Sequence, residues 1–336
     1  MTLRDLPRRL VERRGVAAAV LNVAGFVRLE GISGVQQVIR YIRAAARDYS
    51  LSIPFGYEIA APAAQPSACV LCHLYHDELT PVLGGYFRNI PFPCPIFIST
   101  DTPAKKAAIE QWFSDWKNGS VEVRLAPNRG RDIAPKLVAF ADVYGRFDYV
   151  LHIHSKRSIH IAQLHGWGEF LFKNLLGSGD TVRSIFEIFR RFPNIGLVSS
   201  QHFEPVRFGL GWGANFALAE PLAARMGISI RRDRALDFPS GSMFWARTDA
   251  LKPLLDLALT TDDFPPELGQ LDGTLAHAIE RLYYFACERA GFDWVKVARC
   301  DLFNSTRRIT PIDSPDSIDT FMRRRLVRLT KSRRDA

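Results

Sequence analysis

From Cys69 onward the chain alternates short apolar runs with longer stretches of helical spacing, and this alternation limits the available folds more than any other feature. Runs of strand length occupy 69–75, 95–99, 121–126, 148–154, 195–200, 238–246 and 293–298. Helical patterns fill the gaps at 77–89, 103–117, 132–143, 165–176, 181–192, 215–227, 248–258 and 267–290. Strand followed by helix at this spacing predicts an α/β fold, a mostly parallel sheet flanked by helices on both faces. Ligands of such sheets bind outside the carboxyl ends of the strands. There is no internal repeat and no low-complexity segment.

The ends of the chain differ from its body. The formal charge is +9, of which residues 1–50 hold +5 and residues 320–336 hold +6, leaving the other 269 residues at −2. A nucleic-acid reader carries basic and aromatic residues on its folded body, so the nearly neutral body argues against that class and no nucleic-acid partner is expected. Basic ends suit an anionic membrane surface. The apolar segment "VAAAVLNVAGFV" (16–27) is shorter than the roughly 20 residues a spanning helix needs. It reads as a peripheral helix, lying on a membrane or packed on the domain, rather than as a signal peptide. We therefore expect a basic helical N-terminal extension at 1–52, a Pro- and Ala-rich linker at 53–67, an α/β domain at 68–300 and a basic tail at 301–336. Five irregularly spaced cysteines point to reduced thiols in a cytoplasmic protein. Cys69 and Cys72 form a C-x-x-C inside a strand-like run, with no second pair to complete a zinc site, and read as core residues.

"YVLHIHSK" (149–156) places His154 and Lys156 at the carboxyl end of a central strand, with His152 on the same face as His154 and about 7 Å away. Three readings stand: His152 and His154 as metal ligands, a histidine with Lys156 facing a pyrophosphate, or two satisfied core histidines. "PIFISTD" puts Asp101 at a second strand end. "NRGRDIAP" puts Asn128, Arg129, Arg131 and Asp132 at a third, either as a phosphate cradle at a helix N-terminus or as a helix capped by Asp132 with solvated arginines. "FPSGSMFWAR" adds a tight turn with Gly241, Ser242 and Trp245. "PPELGQLDGTLAHAIERL" (265–282) offers Glu267, Asp272, His277 and Glu280 as a site helix, or as a surface helix with internal ion pairs.

In this order, "NRGRDIAP", "FDYVLHIHSK", the region from Trp167 to Leu176, "NIGLV", "FPSGSMFWAR" and "ELGQLDGTLAHAIERL" resemble the rhamnan synthesis protein F family of bacterial cell-surface polysaccharide assembly. The resemblance covers roughly 68–300. It implies a glycosyltransferase-like protein with a GT-A-like nucleotide-sugar-binding fold. It also departs from that model. Where many such enzymes place Asp-x-Asp to hold Mg or Mn on the pyrophosphate, this chain has His152-Ile153-His154. Imidazole suits softer ions, so a divalent metal is optional and the diphosphate falls to Lys156, His154, Arg129 and Arg131, with Asp101, Asn128, Asp132 and His152 completing the donor site.

The function so implied is transfer of a sugar, with rhamnose one candidate, from a nucleotide-diphosphate donor to a growing cell-surface polysaccharide or lipid-linked glycan, with inversion at the anomeric carbon. Asp272, then Glu267, is the expected base. Gly241, Ser242, Trp245 and His277 would line the acceptor or sugar pocket. The basic ends would hold the enzyme at the inner face of the bacterial cytoplasmic membrane. The alternative is a non-catalytic partner that keeps the fold.

Overall fold

The computed structural model describes residues 48–61, 64–156, 164–234, 236–306 and 308–330. The apolar segment 16–27, most of the N-terminal extension and the last basic residues lie outside them. Nine strands build one sheet: β1 (Ser50–Ser52), β2 (Ala68–His73), β3 (Ile96–Thr100), β4 (Val121–Leu125), β5 (Tyr149–His154), β6 (Ile195–Ser200), β7 (Phe244–Arg247), β8 (Asp293–Ala298) and β9 (Ile309–Thr310). Their order is β4-β3-β2-β5-β7-β6-β8-β1-β9. Every pairing is parallel except those of β7, which runs antiparallel to both β5 and β6.

The sheet is covered on both faces, which explains why its strands are apolar almost without alternation. On one face Val70, Cys72, Leu151, Ile153 and Trp245 pack under α1 (Thr80–Phe87), α2 (Pro103–Trp112), α3 (Trp167–Leu176) and α4 (Gly179–Arg191). On the other, Cys69, Leu71, Val150, Phe244 and Ala246 pack under the 133–144 segment, α5 (Phe216–Arg225) and α6 (Leu275–Arg289). Cys69 and Cys72 thus lie on opposite faces, both buried, and burial pushes each thiol far up from its ordinary value. Local chemistry sets the helix starts. The Thr102 hydroxyl caps α2 through Lys105 N at 3.3 Å, and the Ser178 hydroxyl caps α4 through Thr181 N at 3.1 Å.

Three expectations shift. The domain bounds drawn from sequence do not coincide with the packed body: β1 precedes the expected linker, Ile53 and Phe55 inside it are core residues, and β9 lies in the expected tail. A last helix, α7 (Pro315–Arg325), buries Ile318, Phe321 and Met322 against the same core. The helix expected from 267 begins at Leu275, because Gly269 and Gly273 adopt φ of +82° and +77°, which turns the chain before it can wind. Glu267 and Asp272 are therefore loop residues. Finally, the segment after Asp132 forms a single π turn at Pro135–Ala139 rather than a regular helix. Among the described residues no helix is long and apolar enough to cross a membrane.

Candidate active site

The carboxyl ends of β2 and β5 lie side by side, with His73 paired in register with His154. Since β7 runs the other way, its amino end meets the same edge, and the turn Pro239–Ser242 enters there, closed by Ser242 N donating to Pro239 O at 2.9 Å. Gly241 and Ser242 hold φ of +89° and +54°. A Cβ on Gly241 would lie 2.7 Å from Leu171 Cδ1 and 3.3 Å from the Trp167 ring, so the turn needs glycine for both space and dihedral.

Asp132 organises this edge. Its Oδ2 accepts from Lys136 Nζ at 2.7 Å and lies 3.2 Å from His154 Nδ1, a contact that lacks the alignment of a full hydrogen bond. Lys136 is wholly buried and also donates to Ser242 O at 3.0 Å, tying the 132–136 segment to the turn before β7. Burial would push the Asp132 carboxyl up, but the neighbouring His154 and Lys136 outweigh it and hold it well below the usual range. Burial lowers His154 to about 4 and His73 to about 3, so both imidazoles are neutral at pH 7 and the Lys136 ammonium is the cation that balances Asp132.

Lys156 continues from His154. Its ammonium sits 3.8 Å from the centre of the Trp167 ring, and burial lowers its pKa. Glu280, on α6, reaches the same corner: its Oε1 accepts from Gly241 N at 2.8 Å, and burial raises its carboxyl above the ordinary value against the charges of Arg281 and Lys156. The edge thus combines a partly desolvated ammonium, a carboxylate of raised basicity, a backbone turn of forced geometry and neutral imidazoles.

Not every residue singled out in the sequence joins this cluster. His152 is a core histidine: fully buried, its Nε2 is 2.6 Å from Tyr144 Oη, its ring lies 4.8 Å from that of Phe244, and burial holds it well below its ordinary pKa. Trp245 is also core, wholly buried, donating to Leu175 O at 3.3 Å with Phe186 against its ring. Asp101 follows the last residue of β3 but is engaged by Lys105 at 2.7 Å. Asp132 does not cap a helix; its carboxylate goes to Lys136. Arg129 pairs with Asp262 at 2.8 Å, and Arg131 contacts Glu267 and Gln270 O, so both face the 262–270 loop. Asn128 is exposed, and its carbonyl accepts from Glu267 N at 3.4 Å. Glu267 Oε1 accepts from Arg131 N at 3.1 Å.

Asp272 is fully engaged: Oδ1 accepts from Asn215 Nδ2 at 2.6 Å, Oδ2 from Ala214 N at 3.1 Å, and Arg281 Nη2 lies 3.3 Å away. Burial pushes this carboxyl up, yet those donors bring it below its ordinary value, which suits a structural latch more than a base. His277, lowered to about 4 mainly by burial, meets Thr274 Oγ1 at 2.7 Å beside that latch.

The metal candidates were His152 and His154. The residues present do not suit a divalent ion held by them: His152 is sealed in the core, and the buried Lys136 ammonium, bonded to the Asp132 carboxylate beside His154, would repel it. Among the described residues no group of three or more His, Cys, Asp or Glu is arranged to hold a metal.

Sequence reasoning missed Lys136, His73 and a second buried cluster on the β6–β8 side of the same edge. There Lys296 bridges Asp48 and Asp237, the latter at 2.5 Å, while Arg207 reaches Asp48 at 2.8 Å. His202 lies between Asp237 Oδ1 at 3.0 Å and Ser240 Oγ at 2.9 Å. Only "SSQH" (199–202), at the carboxyl end of β6 and just beyond it, hinted at polar residues there.

The model of rhamnan synthesis protein F matches residues 50–292. The chain belongs to the rhamnan synthesis protein F family. Two relatives, each described as uncharacterized protein WxcX, come from two strains of Xanthomonas campestris pv. campestris and are 35% identical over 237 residues. That stretch is 70% of this chain and 33% of theirs, so the chain spans about a third of the length of the curated relatives it matches. Among solved structures, the mannosyltransferase PcManGT from Pyrobaculum calidifontis, in complex with GDP-Man and Mn2+, overlaps with a TM-score of 0.45 at 12% identity, over 83% of this chain and 66% of that one.

Proposed function

We propose that this rhamnan synthesis protein F family member transfers a sugar from a nucleotide-diphosphate donor to a glycan or lipid-linked acceptor, within a GT-A-like sheet. The observation that carries the reading is the meeting of Lys156 and Glu280 at the turn Pro239–Ser242, at the strand ends where α/β sheets take ligands. Lys156 faces the diphosphate, and its ammonium stabilises the charge that gathers there as the anomeric C–O bond breaks. Glu280 takes the proton of the acceptor hydroxyl as its oxygen bonds to the anomeric carbon, which inverts that centre. Burial raises the Glu280 carboxyl while its donors lower that of Asp272, so the base proposed is Glu280 in place of the Asp272, then Glu267, expected from sequence. Rhamnose stays a candidate sugar, and the inner face of the cytoplasmic membrane the proposed place of work.

A second reading, a non-catalytic assembly partner, is favoured by one observation: His152, which stands where an Asp-x-Asp would begin, is committed to the core. Calorimetry with dTDP, UDP, GDP and CDP, each with and without Mn2+, separates the two. Binding of one nucleotide, lost in Lys156→Ala, supports transfer. No binding to any would overturn it in favour of the partner.

A further inference from the structure

Leu268 and Leu271 are 83% and 81% exposed, against 38–49% for the other exposed large apolar side chains among the described residues. Single surface leucines are ordinary. These two are held outward by a loop fastened at several points. Arg131 donates to Gln270 O, Gln270 Nε2 donates to Pro266 O at 3.0 Å, and Leu268 N donates to Gln270 Oε1 at 2.9 Å. Glu267 and Asp272 pin the two ends through the contacts described above. The loop has the bonds to be ordered, yet keeps both leucines away from the core.

A basic turn shares this face. Arg231, Arg232 and Arg234 are exposed around a single acid, Asp233. Arg232 donates to Gly213 O at 3.5 Å and lies over the Phe216 ring at 5.9 Å, while the next residue, Ala214, donates its N–H to Asp272. The turn and the leucine loop are thus neighbours through one stretch of backbone. On the other flank Asp262 pairs with Arg129 at 2.8 Å, while Asp263 accepts from Thr260 N at 2.7 Å and keeps its charge. Protruding leucines beside exposed arginines suit the boundary between acyl chains and anionic headgroups, where the leucines are dehydrated and the arginines meet negative charge.

We propose that the 268–271 loop and the 231–234 turn form a docking face for an anionic membrane surface, beside the strand-end site. Its purpose rests on the sugar-transfer reading, since a lipid-linked acceptor would present its hydroxyl at that surface; the docking itself is measured without any nucleotide.

The test is flotation of the full chain with vesicles of phosphatidylcholine alone and of phosphatidylcholine with phosphatidylglycerol at two to one, at low and high salt. High salt screens the basic ends and leaves the apolar contribution. Leu268→Ser/Leu271→Ser should bind mixed vesicles roughly tenfold or more weakly at high salt, with unchanged melting temperature. Leu268→Phe/Leu271→Phe should bind as the parent does. Flotation of the serine variant at the parent's level would overturn the proposal, as would a parent that binds no vesicle. A parent dimer that the serine variant dissolves, without vesicle binding, would assign the face to a second copy instead. Nucleotide calorimetry on the serine variant reports the strand-end site separately, so either reading can fail alone.

Discussion

Replacing Lys136 by methionine tests the electrostatic account of the site most directly. The side chain is wholly buried, and its ammonium bonds Asp132 Oδ2 at 2.7 Å and Ser242 O at 3.0 Å. Methionine matches the stem but leaves Asp132 a buried carboxylate whose nearest remaining partner is a neutral imidazole. Breaking such a pair from one side costs about 3–5 kcal/mol. For a chain of this size that is a fall in melting temperature on the order of 10 °C. Two further readouts follow from the same geometry. Lys136 is one of the charges that lower His154, so in the variant His154 should titrate above its value of about 4, read by NMR of the imidazole. Asp132 has a depressed folded pKa, so its stabilising effect is present above roughly pH 4 and is lost as pH falls below that. The gap between parent and Lys136→Met should therefore narrow on acidification. Asp132→Asn/Lys136→Met should recover much of the loss, since no unpaired charge remains. A Lys136→Met variant within about 1 kcal/mol of the parent at pH 7, with His154 unmoved, would refute the assignment of Lys136 as the counterion.

Other outcomes follow from the same structure. Glu280→Gln should abolish transfer while nucleotide affinity stays near that of the parent, and the parent's kcat should fall on the acid side with a limb above pH 4.5, the ordinary value of a glutamate, because burial raises this carboxyl; a pH profile flat through that range would exclude it as the base. Trp245→Ala should cost about 3–5 kcal/mol in urea unfolding and leave nucleotide binding intact, and a selective loss of binding without destabilisation would show the ring to be a ligand contact after all. Lys296→Met should destabilise strongly near neutrality, because Asp48 and Asp237 both lean on it. Both carboxyls are held below their ordinary values despite burial, so the parent should weaken below about pH 4 and the variant less steeply, as measured by urea midpoints across pH. Gly241→Ala should weaken nucleotide binding through the turn, since the added carbon meets Leu171 and the dihedral is left-handed.

Each of the seven apolar runs holds a strand, though the run at 238–246 gives one only from Phe244, after the Pro239–Ser242 turn; the central strands, buried on both faces, carry their burial in composition alone. β1 and β9 were not legible: three and two residues give no pattern, and their place comes from parallel pairing with each other and with β8. In the site, His154, Lys156 and Asp132 could be located from strand ends and loop chemistry. Lys136 could not, since a lysine at the fifth position of a helical pattern reads as solvent-facing until the packing on it is known. His152 shows the converse. Strand periodicity puts it on the same face as His154 but says nothing of what covers that face, and Tyr144 and Phe244 do. Glu280 read equally well as a surface ion pair. What distinguishes it is a bond to Gly241, 39 residues away in sequence.

The reversed direction of β7 has an evolutionary corollary. A parallel strand reaches the ligand edge only with its last residues, and the chain must then leave into a helix. β7 arrives at that edge before it enters the sheet, so the turn Pro239–Ser242 meets the strand ends ahead of its strand rather than after it. Exchanges within that turn would reshape the strand-end site while leaving strand register untouched. Under the proposed sugar transfer, variation in substrate choice among relatives should concentrate in that turn, and grafting it between them is the economical way to redirect specificity.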